Sequence, residues 1–298
     1  MSYISLSNDL LVAFAITGLL VLVVLMVVKK QLQADSSEHD LMDELAKKDN
    51  FAMGISYASS IFSIILVVSF IAREFDLSQW QESLPHMAIA LALALVFIWF
   101  GKWIHNRLIL RDFNEARAIE KRNVCAALID TGVLLANSII VLGLYKWSKA
   151  TNFNTLLIDI IAFIAIQFII LLHTRWQEKR FAATNQGASM QTYFAYDNTS
   201  IGLRFASRMI ALSLAIFAAL ASIQFIAGNF IDNIIMILLN VVVFVALHQI
   251  TALLVLKLAL PKVQNNIEVE QQDNIGIASI ELAVHIAIGI LLLRLFSL

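Results

Sequence analysis

The chain has 298 residues, of which 60% are hydrophobic and only 14% are charged, and its formal net charge is −1. Soluble domains are on average nearer half apolar and a quarter charged, so the composition excludes an ordinary soluble domain, and the absence of a basic tract argues against a nucleic-acid partner. The single cysteine, Cys125, excludes an intramolecular disulfide and a multi-cysteine metal site.

Apolar runs of about 20 residues, the length that spans a bilayer, predict an all-α, polytopic integral membrane protein with eight transmembrane helices. The first run is followed by Lys29 and Lys30 and lacks both a basic leader and a small-residue cleavage site, so we expect it to remain as a helix rather than to be removed as a signal peptide. The predicted spans are 10–28, 51–72, 86–104, 124–146, 154–173, 199–226, 230–256 and 274–297.

One short stretch occurs four times, and its asparagines are 73, 75 and 76 residues apart. A small residue follows each asparagine at the fourth position, and each stretch opens an even-numbered span. The asparagines are Asn50, Asn123, Asn198 and Asn274, and the small residues are Gly54, Ala127, Gly202 and Ala278. This period predicts four tandem helical hairpins of the same orientation, related by an axis along the membrane normal.

The four stretches fall into two types. The first and third have glycine at the fourth position and an aromatic residue at the seventh, whereas the second and fourth have alanine and an acid there. The predicted unit is therefore a pair of hairpins duplicated once, with the first pair in residues 1–148 and the second in residues 149–298.

Lysine and arginine are distributed unevenly between the two sides of the predicted bundle. Fifteen of the 21 lie in the four longer loops, four lie on the opposite side, and Arg204 and Arg208 lie inside the sixth span. The positive-inside rule then predicts that the longer loops are cytoplasmic and that both termini are periplasmic.

The repeated stretch has two interpretations. Each asparagine can cap the helix that follows it by accepting from a free backbone amide, and the small residues allow neighbouring helices to approach closely in lipid. Alternatively, the asparagines line a polar pathway.

Ionisable side chains inside the spans are the candidate functional residues, because an isolated charge at the bilayer centre costs at least ~2.5–3.5 kcal/mol. Asp130 and Glu281 each lie seven residues into a helix, about 10 Å deep at 1.5 Å per residue. We expect the set to turn inward and to mark an ion or proton pathway or a ligand site. The candidates are Asp130, Glu281, Arg204, Arg208, His248 and His285.

A purely structural network that fixes helix register is the alternative for these six residues. Two features favour function. Histidine titrates near neutral pH and His285 follows Glu281 by one helical turn, and the polar residues differ between the repeats.

Motifs for hydrolysis, phosphate binding or zinc proteolysis are absent from the sequence. We therefore predict no catalytic residues, no metal site, no cofactor and no enzymatic activity. Haem ligation by His248 or His285 is an open alternative.

The stretch Glu120-Lys-Arg-Asn123-Val-Cys-Ala-Ala-Leu-Ile-Asp-Thr-Gly132, and more loosely Glu44 to Asn50 and Asp273-Asn274, resemble a bacterial inner-membrane family catalogued as domain of unknown function 350. Its members look like two-helix units, of which this chain has four. The resemblance implies an all-helical membrane fold and the bacterial inner membrane as location, with no established activity. It also suggests an association with envelope-stress or peptide-ligase-like systems.

Two functional hypotheses follow. The first is transport or channel-like passage of a small cation or proton along the six embedded residues. The second is a membrane scaffold whose cytoplasmic loops, residues 29–49 and 174–197, recruit a soluble partner involved in envelope stress. In either case the lipid bilayer is the surrounding partner, and the repeats either close a ring alone or do so as a homo-oligomer.

Overall fold

The computed structural model describes residues 8–35, 41–149 and 153–296. Within these ranges all regular elements are helices. They are α1 Asn8–Asp35, α2 Leu41–Ala46, α3 Phe51–Ala72, α4 Trp80–Ile104, α5 Glu115–Glu120, α6 Val124–Ser148, α7 Phe153–Thr184, α8 Met190–Ala195, α9 Thr199–Ala221, α10 Phe230–Ala259 and α11 Ile275–Phe296. A 3₁₀ turn, Leu77–Gln79, precedes α4, and π-helical turns follow α4 at His105–Ile109 and precede α11 at Ile267–Gln271.

The predicted all-α membrane class is confirmed, but the count of eight spans is not. Seven of the described helices are long and apolar enough to cross a membrane. In α1 the described apolar stretch, Leu11–Met26, is shorter than the others.

Four helices form a central row in the order α3, α6, α9 and α11. These are the helices that begin at the repeated asparagines. Residues of equal depth face each other along the row, since Ser56 contacts Asp130 and Ser63 contacts Ser138 between α3 and α6. Contacts between α6 and α9 and between α9 and α11 also join residues of equal depth. The four helices are therefore parallel, as the repeat predicted, and all begin at one end of the bundle, which we call the asparagine end.

Small residues hold the middle of the row together. A Cβ added at Gly132 on α6 would lie 2.5 Å from the Cα of Ala206 on α9, and one added at Gly202 would lie 2.9 Å from the Cα of Cys125. Only glycine permits such close backbone contact. Of the predicted small residues, Ala127 and Ala278 are fully buried, whereas Gly54 has only the Leu45 side chain near it, at 3.8 Å.

The remaining long helices pack around this row: α1 on α3, α4 on α6, and α10 on both α9 and α11, with α7 against α10. The segment 174–197 lies at the asparagine end and buries Thr174, Phe181, Met190 and Phe194 against the bundle. Of the other predicted partner loop, 29–49, residues 36–40 lie outside the described part of the chain, as do residues 150–152 beside the predicted boundary between hairpin pairs.

Candidate functional site

The repeated asparagines are helix caps. The side-chain oxygen of Asn123 accepts from the Ala126 amide at 2.6 Å, and that of Asn198 accepts from the Ile201 amide at 2.9 Å. Asn50 and Asn274 make the same bond to Met53 and Ile277, both at 3.1 Å. Each cap satisfies one of the free amides of a helix start, which is the structural interpretation of the motif.

The motif also links each repeat to the next. The Asn123 side-chain amide donates to the Phe194 carbonyl at 2.8 Å, four residues before the next asparagine. In return, the Asp197 carboxylate accepts from the Cys125 amide at 2.8 Å. Asp273 accepts from the Ser200 amide in the same way, at 2.7 Å. The third and fourth repeats therefore each contribute to capping the helix of the repeat before them.

An unusual backbone feature accompanies these contacts between repeats. The residue before each asparagine has a positive φ: 50° at Asp49, 68° at Arg122, 59° at Asp197 and 51° at Asp273. Such a conformation is uncommon outside glycine. Here it directs the side chain at Asp197 and Asp273 onto the neighbouring helix start. Three of the four residues are aspartates, a residue type that adopts this conformation more readily than most.

Asp130 belongs to a group that we call the Lys102 cluster, formed by Ser56, Lys102, Glu115 and Asp130. The Lys102 ammonium lies 2.5 Å from the Asp130 carboxylate and 3.7 Å from that of Glu115. The Ser56 hydroxyl donates to Asp130 from α3. Both acids are buried, and the lysine is about one third exposed.

The pKa of Glu115 is raised from its usual 4.5 to about 8 by burial and, to a smaller extent, by the neighbouring Asp130 charge, while Lys102 opposes the change. Two buried carboxyl groups thus share one lysine, and a carboxylic acid is disfavoured as an anion where it is desolvated beside a like charge. The arrangement therefore favours the neutral, protonated form of Glu115.

A stripe of buried serines continues from this cluster along α3: Ser56, Ser59, Ser60 and Ser63. The Ser59 hydroxyl donates to the Ser56 carbonyl at 2.8 Å, and Ser63 is hydrogen-bonded to Ser138 on α6. Seven residues of helix from Ser56 to Ser63 correspond to about 10 Å. Ser60 and Ser63 are also the polar residues that line an otherwise apolar cavity of about 70 Å³.

Arg204 and Glu281 belong to a second group, the Arg204 cluster, completed by Glu270. The Arg204 guanidinium donates twice to Glu281, at 2.6 and 2.8 Å, and once to Glu270, at 2.7 Å. It also donates to the Asn265 carbonyl at 2.9 Å. Asn185 donates to Glu270 at 2.6 Å. This arginine is buried and its hydrogen-bonding capacity is taken up within the protein.

The other three candidates lie beside the Arg204 cluster. His248 on α10 and His285 on α11 are buried with ring centroids 5.3 Å apart, and Nε2 of His248 is 3.0 Å from the His285 carbonyl oxygen. Arg208 lines, with His285, a cavity of about 620 Å³ at the asparagine end.

The structure therefore divides the six sequence candidates between two places. Asp130 lies in the first cluster, and the other five lie together in the second half of the chain. Lys102, Glu115 and Glu270 complete the clusters and were missed, because Glu115 and Glu270 stand in charged connecting segments that suggest solvent exposure. No group of three or more potential metal ligands (histidine, cysteine, aspartate or glutamate) occurs in the described ranges.

Comparison with known proteins gives one family. The model for Domain of Unknown Function (DUF350) matches residues 5–143, 78–192 and 152–295, so repeated matches extend over nearly the whole chain. No curated protein and no solved structure is similar enough to the chain to count as a match.

Proposed function

The chain belongs to the DUF350 family, and we propose that this member passes protons across the membrane by way of the Lys102 cluster. We also propose that the asparagine end faces the cytoplasm of a bacterial inner membrane, because the excess of lysine and arginine lies in the loops at that end. The role is passage rather than catalysis.

The observation that carries the proposal is the sharing of Lys102 by Glu115 and Asp130, at 3.7 and 2.5 Å. With one cation between two buried acids, the charge of one carboxylate is neutralised, and the other carboxyl group is more stable in its protonated form. The pKa of about 8 at Glu115 places proton uptake and release in the physiological range. Glu115 lies at the asparagine end and Asp130 lies deeper in α6. A proton that moves from Glu115 to Asp130 therefore moves from that end into the bundle.

Hydroxyl groups support the next step. Ser56 contacts Asp130, and the serine stripe extends from it to Ser63 and the cavity of about 70 Å³. A cavity of this size exceeds the ~10–15 Å³ needed for one water molecule. Hydroxyl groups both donate and accept. Ser59 and Ser60 donate to the Ser56 carbonyl, so water held between these hydroxyls and Ser63 would complete a chain along which a proton moves.

The same geometry favours protons over metal cations. The Lys102 ammonium occupies the position between the two carboxylates where a cation would bind, and its charge repels one. A proton needs no vacant coordination site, only carboxyl and hydroxyl groups within hydrogen-bonding reach.

Proton flux into liposomes tests the proposal. The purified full-length chain is reconstituted with an entrapped pH-sensitive dye, and a potassium diffusion potential drives proton entry. We expect Asp130→Asn to lower the protein-dependent flux by about 100-fold, the typical effect of losing a positioned proton-transfer group.

Asp159→Asn is the matched control. Asp159 is also a buried acid and accepts a hydrogen bond from Ser148 at 2.8 Å, but it lies outside the Lys102 cluster. Flux should be unchanged in this variant. If wild-type protein and Asp130→Asn conduct equally, the assignment of the Lys102 cluster is wrong.

A further inference from the structure

The cavity of about 620 Å³ at the asparagine end has the size of a small-molecule site. It lies between α7, α9, α10 and α11, over the Arg204 cluster. Its charged lining consists of four cations, Arg180, Arg204, Arg208 and Lys257, and two acids, Glu270 and Glu281. The lining therefore has two net positive charges.

The two arginines of α9 differ in their hydrogen-bond partners. Arg204 is saturated by Glu281, Glu270 and a carbonyl. Arg208, one turn deeper and half-buried, makes no hydrogen bond or ion pair to any residue in the described ranges, and its side chain lines the cavity. A guanidinium at this depth in a membrane helix is costly unless it is paired or faces a polar cavity. The partner of Arg208 is therefore to be sought in the cavity.

Other polar atoms along the same wall lack partners as well. The Gln249 side-chain nitrogen, Nδ1 of His285 and the Asn265 side-chain oxygen are buried without a hydrogen bond within the described residues, and all three residues line the cavity. Buried polar groups are normally satisfied. The Gln249 nitrogen, Nδ1 of His285 and the Arg208 guanidinium can therefore donate hydrogen bonds to a bound group.

We propose that this cavity binds a phosphate ester, whose phosphate group pairs with Arg208. Guanidinium groups match phosphate oxygens with two parallel hydrogen bonds. A phosphate monoester carries about −1.5 to −2 charges at pH 7, which complements the two net positive charges of the lining. Gln249 donates to the same phosphate, and Arg180 and Lys257, both exposed, attract the anion to the opening.

Apolar residues on the outer helices complete the site. Trp176 on α7 is 48% exposed and Leu253 on α10 is 51% exposed, and both line the cavity. These side chains suit the organic part of the ester. The phosphate could belong to a soluble monoester or to the phosphodiester of a lipid headgroup. The diester carries one negative charge instead of about two, and both offer phosphate oxygens to the Arg208 guanidinium. This site does not involve the Lys102 cluster, so it stands or falls separately from proton passage.

Two binding measurements on the full-length chain separate the sources. In the first, glycerol 3-phosphate is titrated calorimetrically into protein held in phosphatidylcholine nanodiscs. In the second, protein from nanodiscs of phosphatidylglycerol and phosphatidylcholine is released in a mass spectrometer, and retained phosphatidylglycerol is counted. Saturable binding in the first identifies a soluble ester, and retention in the second alone identifies a lipid headgroup.

Arg208→Gln should lower the affinity of whichever probe binds by at least about tenfold, since charge-assisted hydrogen bonds are lost. Arg208→Lys, which keeps the charge, should retain part of the affinity and keeps the test valid if Arg208→Gln unfolds. Arg294→Gln is the matched control, because Arg294 is an exposed arginine at the far end of α11. The proposal is overturned if neither probe binds, or if binding is equal in wild type and Arg208→Gln.

Discussion

Lys102 on α4 and Asp130 on α6 form an ion pair of 2.5 Å whose acid is 1% exposed. The pair joins an outer helix of the bundle to the central row, and Glu115 of the connecting segment lies at the same ammonium, 3.7 Å away. A single lysine thus lies against two buried carboxyl groups.

Removal of that lysine should destabilise the protein strongly. In Lys102→Met, Asp130 and Glu115 remain buried without a cation, and breaking a buried pair in this way costs about 3–5 kcal/mol; partial exposure of the lysine reduces this to about 2–3 kcal/mol. Unfolding in mixed micelles measures the change. Lys149→Met is the control, because its 3.0 Å pair with Glu74 is exposed and should contribute no more than about 1 kcal/mol. Equal effects of the two substitutions would contradict the buried role of Lys102.

Glu115 should make stability depend on pH. Its pKa of about 8 in the folded chain exceeds the usual 4.5, so the folded state binds the proton more tightly than the unfolded state. The contribution of Glu115 to the free energy of unfolding is complete below pH 4.5 and is lost as pH rises toward about 8. The free energy of unfolding then falls by at most about 1.4 kcal/mol per pH unit. In Glu115→Gln this slope should disappear, and the stability of the variant relative to wild type should increase as pH rises from 5.5 to 8.5.

Thermal unfolding across that pH series provides the measurement. Glu120→Gln is the control, since Glu120 is an exposed acid of the same short helix. It should leave the pH profile unchanged. A wild-type profile that is flat over the range would show that Glu115 is ionised throughout.

Asn123→Ala should cost more than loss of an ordinary helix cap. The substitution removes the cap of α6 and also the 2.8 Å bond to the Phe194 carbonyl of the next repeat. A cap contributes about 1 kcal/mol, and loss of the buried bond between repeats adds about 0.5–1.5 kcal/mol, since the Phe194 carbonyl still accepts from the Asp197 amide at 3.2 Å. Asn229→Ala removes the exposed cap of α10, the bond from the Asp232 amide. This variant should lose only the contribution of the cap, about 1 kcal/mol. Denaturant unfolding compares the two, and similar losses would argue against the interlock between repeats.

Gly132→Ala should separate α6 from α9. The new Cβ would lie 2.5 Å from the Cα of Ala206, and because backbone cannot move aside as a side chain does, we expect a loss of about 1–3 kcal/mol. Gly18→Ala on α1 meets nothing within 4 Å and should gain up to about 1 kcal/mol through helix propensity. Unfolding free energies of both variants measure the difference, and a neutral Gly132→Ala would mean that the two helices are not in such close contact.

Much of the architecture could be predicted because the repeat imposes it. The spacing of Asn50, Asn123, Asn198 and Asn274 identified the starts of four parallel helices, since each period contains two crossings. The capping role of the asparagines also followed from local chemistry, because a cap involves only residues within one turn. The membrane class followed from composition.

The candidate site was predicted only in part, and the reason lies in helix rotation. Depth along a helix can be counted from the sequence, so Asp130, Arg204 and Glu281 were correctly expected to be buried. Which neighbour each side chain faces depends on how a helix is turned by its packing, for example at the contact of Gly132 with Ala206. As a result Asp130 faces α3 and α4, whereas Arg204 faces α11.

The sequence by itself determined the number and direction of the repeats, the caps and the presence of buried charges, because these depend on spacing and on the energetic penalty of charge in lipid. Only the tertiary structure decided that Glu115 and Glu270 fold back from connecting segments to complete two separate clusters, and that Arg208 is left facing a cavity. Those arrangements depend on contacts between residues far apart in the chain, which no local pattern encodes.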